Sequence, residues 1–342
     1  MRKKLIHTHM IALLFLFSVL TYTGCKKKET PSPQKPSSRS NAQKTVQQPM
    51  PTTPTAKLNA LTKVVHTSAL PLFVIPNIAS SIQQIRTFIE GLEKARGTKE
   101  ISMILKGIPS GLGFDPLSTQ SLSSMGLDPQ SSVFISTHRI QKQPFLVVQA
   151  LISNPKQFQQ KVDTLLKQKI FAKEVKTQKL AGHQVKTYLR KAMFGKKQEV
   201  LSYTILANQS LLLVAPARGN RIPDPEQKDQ TVLSTTLFQD LLAHKKTNLL
   251  QADPHFSKAY EANRDGVIFS YQSKSSIQSL AKTARVPFPI SGGPGGKALK
   301  QAQEQIFTLY SWGTGKLQLS PNTLKLKGLI SIPSTQRKKL DV

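Results

Sequence analysis

Two short apolar runs, at residues 72–75 and 267–271, have the length and composition of buried β-strands. Each run is followed by a Ser-Ser-Ile-Gln segment, whose first serine (Ser80 or Ser275) stands three residues before the glutamine and predicts a helix-capping box. Apolar residues then recur with the 3.6-residue period of an amphipathic helix. The predicted buried faces consist of Ile82, Ile85, Ile89 and Leu92 after the first run and of Ile277, Leu280, Ala281 and Ala284 after the second.

The two units also end alike, and this similarity predicts an internal duplication of a strand-helix-strand-strand unit. Strand patterns at residues 132–137 and 307–313 precede apolar runs at residues 147–153 and 324–331, each of which ends close to a proline. The last two strands of each copy are expected to pair in an antiparallel sheet. The predicted copies cover about residues 68–153 and about residues 265–333.

The segment between the copies predicts a helix, several strands and further helices. Asn154 followed by Pro155 is typical of a helix start, because proline is favoured in the first turn. The buried face of this helix is expected to contain Phe158, Val162, Leu165 and Leu166. Strand patterns follow at residues 170–177, 184–189, 200–207 and 210–215, with turns at 181–183 and 208–209, and helical patterns at 231–243 and from Asp253 onwards. The predicted class is α+β, with antiparallel sheets covered by helices on one face.

A Gly-x-Asp-Pro motif occurs twice, at residues 113–116 and 126–129. The Asp-Pro pair predicts a helix start, because the carboxylate accepts hydrogen bonds from free amides and proline fixes the first helical angle. The spacing of the two motifs resembles that in a family of exported bacterial proteins of unknown function. This resemblance covers about residues 68–335 and implies no catalytic residues.

The chain begins with a positive segment, Met1 to Lys4, and an apolar run at residues 10–20. This run has about 11 residues, against the roughly 20 that a membrane-spanning helix needs, and it is typical of a signal peptide. Gly24 and Cys25 follow, and they resemble the lipobox of bacterial lipoproteins. The resemblance implies removal of a signal peptide, residues 1–24, and acylation of the Cys25 thiol. The alternative, an inert buried cysteine, fits poorly between an apolar run and three lysines.

Residues 25–64 differ in composition from the rest of the chain. They contain scattered prolines among Ser, Thr, Gln and Lys, with few large apolar side chains. Such a segment cannot bury enough surface to offset its ordering entropy, so it predicts a disordered tether. A folded body is expected over residues 65–342. Because Cys25 is the single cysteine, an intramolecular disulfide is excluded and stability must come from a hydrophobic core.

The net charge of +30 and pI near 10.3 indicate anionic partners. In a bacterial envelope these are anionic lipid, lipopolysaccharide phosphates and cell-wall carboxylates, and the acyl chains on Cys25 would add the membrane itself. Nucleic acid is not favoured, because an export signal is present and aromatic residues make up only 6 % of the chain. The alternative is that the lysines only keep a tethered protein soluble.

No catalytic residue, cofactor or metal ligand is predicted. The glycine-rich segment at residues 291–298 lacks the first Gly and the final Ser or Thr of a phosphate-binding loop. The histidines at positions 66, 138, 183, 244 and 255 are isolated from one another in sequence, and acidic residues number only 18. An enzyme is therefore not expected.

These patterns together predict a lipid-anchored protein of the bacterial cell envelope that binds or scaffolds, with its target unknown. Lys26 stands where many inner-membrane lipoproteins have aspartate, which favours the outer membrane. A periplasmic carrier of lipid or another hydrophobic ligand is the alternative and predicts a sizeable apolar pocket. A cell-envelope hydrolase is a third reading and predicts converging polar side chains.

Overall fold

The computed structural model describes residues 51–63, 65, 72–97, 99–103, 105, 114–141, 143–169, 174–191, 197–207, 209–216, 230–243, 250–277 and 311–332. Ten strands in these residues form one antiparallel sheet. Their bounds are β1 Leu72–Ile75, β2 Val133–Ile140, β3 Gln143–Leu151, β4 Glu174–Leu180, β5 His183–Lys191, β6 Lys197–Ile205, β7 Ser210–Pro216, β8 Ile268–Ser273, β9 Trp312–Ser320 and β10 Thr323–Ser331. The strand order across the sheet is β10-β9-β8-β1-β2-β3-β7-β6-β5-β4.

Six α-helices with defined bounds accompany the sheet in the described residues, and further helical residues are 100–103, 105 and 274–277. The six helices are α1 Pro54–Thr62, α2 Ile78–Arg96, α3 Thr119–Ser124, α4 Pro155–Lys169, α5 Gln230–Leu242 and α6 Pro254–Asn263, with a 3-10 turn at Leu250–Ala252. The predicted α+β class is confirmed. Several elements agree closely with the sequence patterns, among them β1, β7, α4 and α5. Of the strand predicted at residues 307–313, Trp312 and Gly313 belong to β9 and Ser311 does not, while residues 307–310 lie outside the described part.

Helices cover both faces of the sheet, so the prediction of one covered face is wrong. In β7, Leu212 and Val214 belong to the apolar cluster of α5, whereas Leu211 and Ala215 belong to the cluster of α4. Neighbouring residues of a strand point to opposite faces, so α4 and α5 lie on opposite sides. The continuous apolar sequence of β7 is the pattern expected of a strand that is buried on both faces.

The helix α1 shows that the predicted tether is too long at its C-terminal end. Thr53 caps α1 by accepting a hydrogen bond from the amide of Ala56, and Pro54 occupies the first turn. Leu61 is 0 % exposed and packs in a core with strands β1, β2 and β8 and helix α6. Pro51 and Pro54 at the start of this short segment conceal its helical pattern in the sequence. The folded body therefore begins before residue 65, while residues 1–50 lie outside the described part of the chain.

The helix caps differ from the predicted capping boxes. Asn77, not Ser80, caps α2, since its side-chain oxygen accepts a hydrogen bond from the amide of Ser80 at 2.8 Å. In the second unit, the Ser273 hydroxyl accepts from the amide of Ser276 at 3.2 Å. Each helix thus begins earlier than the serine pair, because a side chain three residues upstream is better placed to accept from the first free amides.

Both Asp-Pro pairs of the Gly-x-Asp-Pro motifs close turns, and neither starts a helix. The Asp115 carboxylate accepts from the amide of Leu117 at 2.9 Å, and α3 is capped by Ser118. The Asp128 carboxylate accepts from the amide of Gln130 at 3.0 Å. Asp253, by contrast, does cap α6, as the sequence predicts, and accepts from the amide of His255.

The order of the strands is symmetric about the β1–β8 pair. On one side the order is β1-β2-β3, and on the other it is β8-β9-β10, with antiparallel pairing throughout. Val74 pairs with Phe269, and each of these residues stands six positions before the first serine of its Ser-Ser-Ile-Gln segment. The hairpins β2–β3 and β9–β10 both have two-residue turns. This arrangement supports the predicted duplication, which stays a prediction.

Candidate functional site

The strand β10 is one end of the sheet, and among the described strands only β9 pairs with it. We call β10 the open edge. It carries four large apolar side chains that are 52 % to 58 % exposed, three on one face of the sheet and one on the other. The first three are Leu324, Leu326 and Ile330, and the fourth is Leu329. Such a concentration of exposed apolar residues on a strand at the end of the described sheet is typical of an interaction site.

Lysines dominate the other face of the open edge. Lys325 and Lys327 alternate with the leucines, and Lys327 lies directly opposite Lys316 of β9. Like charges in that position repel each other. The Asp265 carboxylate offsets the repulsion, because Lys316 Nζ donates to Asp265 Oδ1 at 2.7 Å. This hydrogen bond from Lys316 holds the pKa of the Asp265 carboxyl below its usual range. Three lysines therefore face one carboxylate at this site.

A depression of about 270 Å³ adjoins the open edge. Its lining consists of Gln84, Asp265, Gln318, Leu319, Ser320 and Lys325. Gln84 donates to the backbone oxygen of Asp265 at 3.3 Å, and Gln318 donates to the Asp265 carboxylate. Only Leu319 in this lining is apolar. The depression is therefore suited to a polar or charged group and not to an acyl chain.

The turn between β9 and β10 is fixed against α2. A methyl group at Gly91 of α2 would overlap the carbonyl oxygen of Pro321, so only glycine allows this approach. With its amide oriented to satisfy both partners, Asn322 donates to the oxygens of Gly91 and Pro321 at 2.9 and 2.8 Å. At the other end of the hairpin, the Ser311 hydroxyl donates to the oxygen of Ser331 at 2.9 Å. Contacts at both ends thus hold the open edge in place.

The opposite end of the sheet, β4, lacks this combination of groups. Val175, at 37 % exposed, is its one exposed large apolar side chain. Its exposed positions otherwise hold Lys176, Thr177 and Lys179. Both edges carry lysines, but β10 has four exposed large apolar side chains and β4 has one, so β4 offers an added strand little apolar surface. The two ends of the sheet therefore differ in how much apolar surface they expose to a binding partner.

A buried polar cluster joins α5 to the sheet. Glu199 of β6 is 3 % exposed and accepts hydrogen bonds from the hydroxyls of Ser202 and Ser234 at 2.8 and 2.6 Å. The hydroxyls of Ser202 and Thr187 lie 2.7 Å apart. Sequence reasoning missed this cluster, because Glu199 sits at the polar start of a strand pattern and looks like a surface residue. The cluster fixes a helix on the sheet and is best explained as a structural element.

A second cluster lies under α4, on the other face. Tyr188 donates to the Asp163 carboxylate, and Lys186 lies 3.6 Å from the same group. The rings of Tyr188 and Tyr203 stack with centroids 6.0 Å apart, and Phe158 meets Tyr203 edge-on at 5.7 Å. Burial raises the pKa of Tyr203 to about 12. Both tyrosines therefore stay neutral at physiological pH and act as packing residues.

Cys25 is the one site residue that the sequence predicts, and the sequence assigns no role to the histidines or to the glycine-rich segment. Cys25, His66, His244 and the glycine-rich segment at 291–298 lie outside the described part of the chain. His138 is in β2, His183 begins β5 and His255 is in α6, where its ring stacks on Trp312 at 5.9 Å. Burial lowers the pKa of His183 below its usual value. No group of three or more His, Cys, Asp or Glu side chains in the described residues could hold a metal ion.

Comparisons of the chain with family models, with curated proteins and with solved structures gave no match. In the part of the chain that the structure describes, no helix has both the length and the apolar character needed to cross a membrane. The open edge, with its leucines, lysines and adjoining depression, is therefore the candidate functional site.

Proposed function

We propose that this protein is a lipid-anchored protein of the bacterial cell envelope, in the outer membrane, whose α+β body is a binding or scaffolding module. The observation that carries the binding role is the open edge. Its outer side has no partner among the described strands, and it combines exposed leucines with an excess of lysines. The anchor rests on the resemblance of the Cys25 segment to a lipobox. The Gly-x-Asp-Pro resemblance agrees with an exported body of this kind.

The tether between the anchor and the body is shorter than its composition indicates. Residues 54–62 are part of α1, so the spacer ends near residue 53. A random coil of the remaining 30 or so residues has ends about 30 Å apart. The open edge would therefore work close to the membrane surface, where the excess positive charge of the body is attracted to anionic lipid or lipopolysaccharide.

A carrier function is not favoured by the depression at the open edge. Five of its six lining residues are polar or charged, whereas a site for an acyl chain needs a mainly apolar lining. The hydrolase reading gains no support from the described histidines, which lie on separate elements. We therefore keep binding or scaffolding as the proposed function.

The anchor is tested by replacing Cys25 with serine and separating membranes from soluble protein. The acylated chain without substitutions is expected to stay with membranes in molar salt, because two or more acyl chains bind firmly. Cys25→Ser should be soluble in the same salt, and Thr23→Ser, a neighbouring substitution that keeps the thiol, should remain bound. A Cys25→Ser chain that stays with membranes at high salt after removal of its signal peptide would refute the anchor.

The binding role is tested by native mass spectrometry of the full chain, extracted from its own membranes in mild detergent. The expected species is the mature chain beginning at Cys25 with acyl chains and no additional small-molecule mass. A discrete additional mass of lipid size would contradict the binding or scaffolding role and would support a carrier of lipid. The measurement is independent of the fractionation, since it reports what the body holds and not where the chain resides.

A further inference from the structure

We propose that the open edge is a docking strand for an extended protein segment that alternates apolar and acidic side chains and adds to the sheet antiparallel to β10. The inference rests on the proposed function, because it names the partner of the binding module. It begins from the geometry of β10, which has nine residues and is therefore roughly 30 Å long. The outer backbone groups of such a strand are ready to pair with another strand.

The chain itself shows how this strand position is completed. In the symmetric strand order, β10 occupies the place that β3 occupies on the other side of the β1–β8 pair. The outer side of β3 pairs with β7 through seven consecutive residue pairs in antiparallel orientation. The inserted segment β4–β7 thus supplies the next strand beside β3, whereas none of the described strands does so beside β10. An added antiparallel strand would restore the symmetry of the sheet.

The side chains of β10 define which segment fits. On one face, Leu324, Leu326 and Ile330 offer partly exposed apolar surface. On the other face, Lys325 and Lys327 offer positive charge, and Leu329 follows them toward the end of the strand. Residues opposite each other on paired strands share a face, so an added strand would place alternate residues beside each row. We call Leu324, Leu326 and Ile330 the leucine row. Apolar side chains of the added strand would extend this row, and its carboxylates would lie beside the lysines.

Charge excludes the nearest alternatives for the occupant. A second copy of this protein carries the same net charge of +30 and would bring its own lysines against Lys325 and Lys327. Residues 1–50 of the chain contain nine lysines and arginines and a single acidic residue, Glu29. A bilayer would leave the outer backbone groups of β10 without hydrogen-bond partners. An acidic, extended segment of another protein would neutralise the lysines of β10 and would also pair with its outer backbone groups.

The test uses the full acylated chain in mild detergent and two synthetic nine-residue peptides, one alternating Val with Glu and one alternating Val with Lys. Binding is measured by fluorescence anisotropy, and its location by hydrogen exchange of the amides of residues 323–331. The Val-Glu peptide should bind, should slow exchange in β10 and should weaken as salt is added. The Val-Lys peptide should do none of these.

Paired variants separate charge from folding. Lys325→Glu with Lys327→Glu should weaken the Val-Glu peptide about tenfold and should allow the Val-Lys peptide to bind. Lys176→Glu with Lys179→Glu, at the opposite end of the sheet, makes the same charge change and should leave both affinities unaltered. Equal binding of the two peptides, or slowed exchange elsewhere than in β10, would overturn the proposal.

Other occupants would be recognised by the same exchange measurement. Slowed exchange in β10 that depends on protein concentration without peptide would overturn the proposal in favour of a second copy. Slowed exchange caused by vesicles of phosphatidylglycerol, and not by the Val-Glu peptide, would overturn it in favour of a membrane. If the Val-Glu peptide does not bind but Cys25→Ser is released from membranes, only the docking strand is overturned. If the peptide binds but Cys25→Ser stays with membranes, only the anchor is overturned.

Discussion

Replacing Leu61 with alanine tests whether α1 belongs to the folded body. The Leu61 side chain is 0 % exposed and lies in the core beside β1, β2, β8 and α6. The substitution removes three carbon atoms from this core, worth about 2.4 kcal/mol at about 0.8 kcal/mol for each buried methylene. The cavity that remains adds a further cost, so the free energy of unfolding should fall by about 3 to 4 kcal/mol.

The assay is urea unfolding of the full chain, followed by circular dichroism, with Leu326→Ala as the matched control. Leu326 is 58 % exposed, so the same chemical change there should alter the free energy of unfolding by no more than about 0.5 kcal/mol. The midpoint should fall for Leu61→Ala without a change in the slope against urea. If the two variants are equally stable, α1 does not contribute to the core and residues 54–62 belong to the tether.

Three further predictions concern substitutions whose effect on the free energy of unfolding follows from the structure. Gly126 has φ +83°, and an added methyl would lie 2.5 Å from the oxygen of Asn154, so Gly126→Ala should cost about 3 kcal/mol or more. Gly97 has φ +67° with open space around it, so Gly97→Ala should cost only about 1 kcal/mol; equal costs in urea unfolding would contradict this account. Glu199→Leu removes the carboxylate to which the Ser202 and Ser234 hydroxyls both donate and should lower the free energy of unfolding by about 2 to 4 kcal/mol, whereas Glu199→Gln should lower it less in the same assay. The raised pKa of Tyr203 makes its ionisation harder in the folded state, so its contribution to stability should be complete below about pH 10 and lost as pH rises to about 12. Tyr203→Phe should reduce this alkaline loss without abolishing it, because burial also raises the pKa of Tyr188 and of Tyr271. An unchanged pH profile would refute the contribution of Tyr203.

The sequence predicts those elements best whose apolar period is undisturbed. The face of α4 formed by Phe158 and Leu166 and the continuous apolar run of β7 are visible without a structure. The helix α1 is not, because Pro54 and its neighbours give the segment the composition of a linker. The burial of Leu61 depends on strands and a helix that come much later in the chain, and no local pattern contains that information.

The candidate site is only half visible in the sequence. The alternation from Leu324 to Lys327 correctly predicts a strand, but alternation alone indicates one buried and one solvated face. The order of the strands places β10 at an end of the sheet and leaves both of its faces accessible. Asp265 and Lys316 are likewise far apart in sequence, and the fold brings them to 2.7 Å. The binding surface is thus a product of topology more than of any motif.

The same comparison explains why docking at β10 should be reversible while the β3–β7 pairing is permanent. Counted from their hairpin turns, Lys325 and Lys327 occupy the positions of Phe145 and Val147 in β3. Those two residues are buried under α5, which covers that face of β3 and β7. Lysines in the same positions keep the corresponding face of β10 hydrated, and its other face is accessible too. None of the described helices would therefore cover a partner strand there as α5 covers β7. The affinity of that strand must then come from the leucine row, backbone pairing and ion pairs together, and added salt should release it.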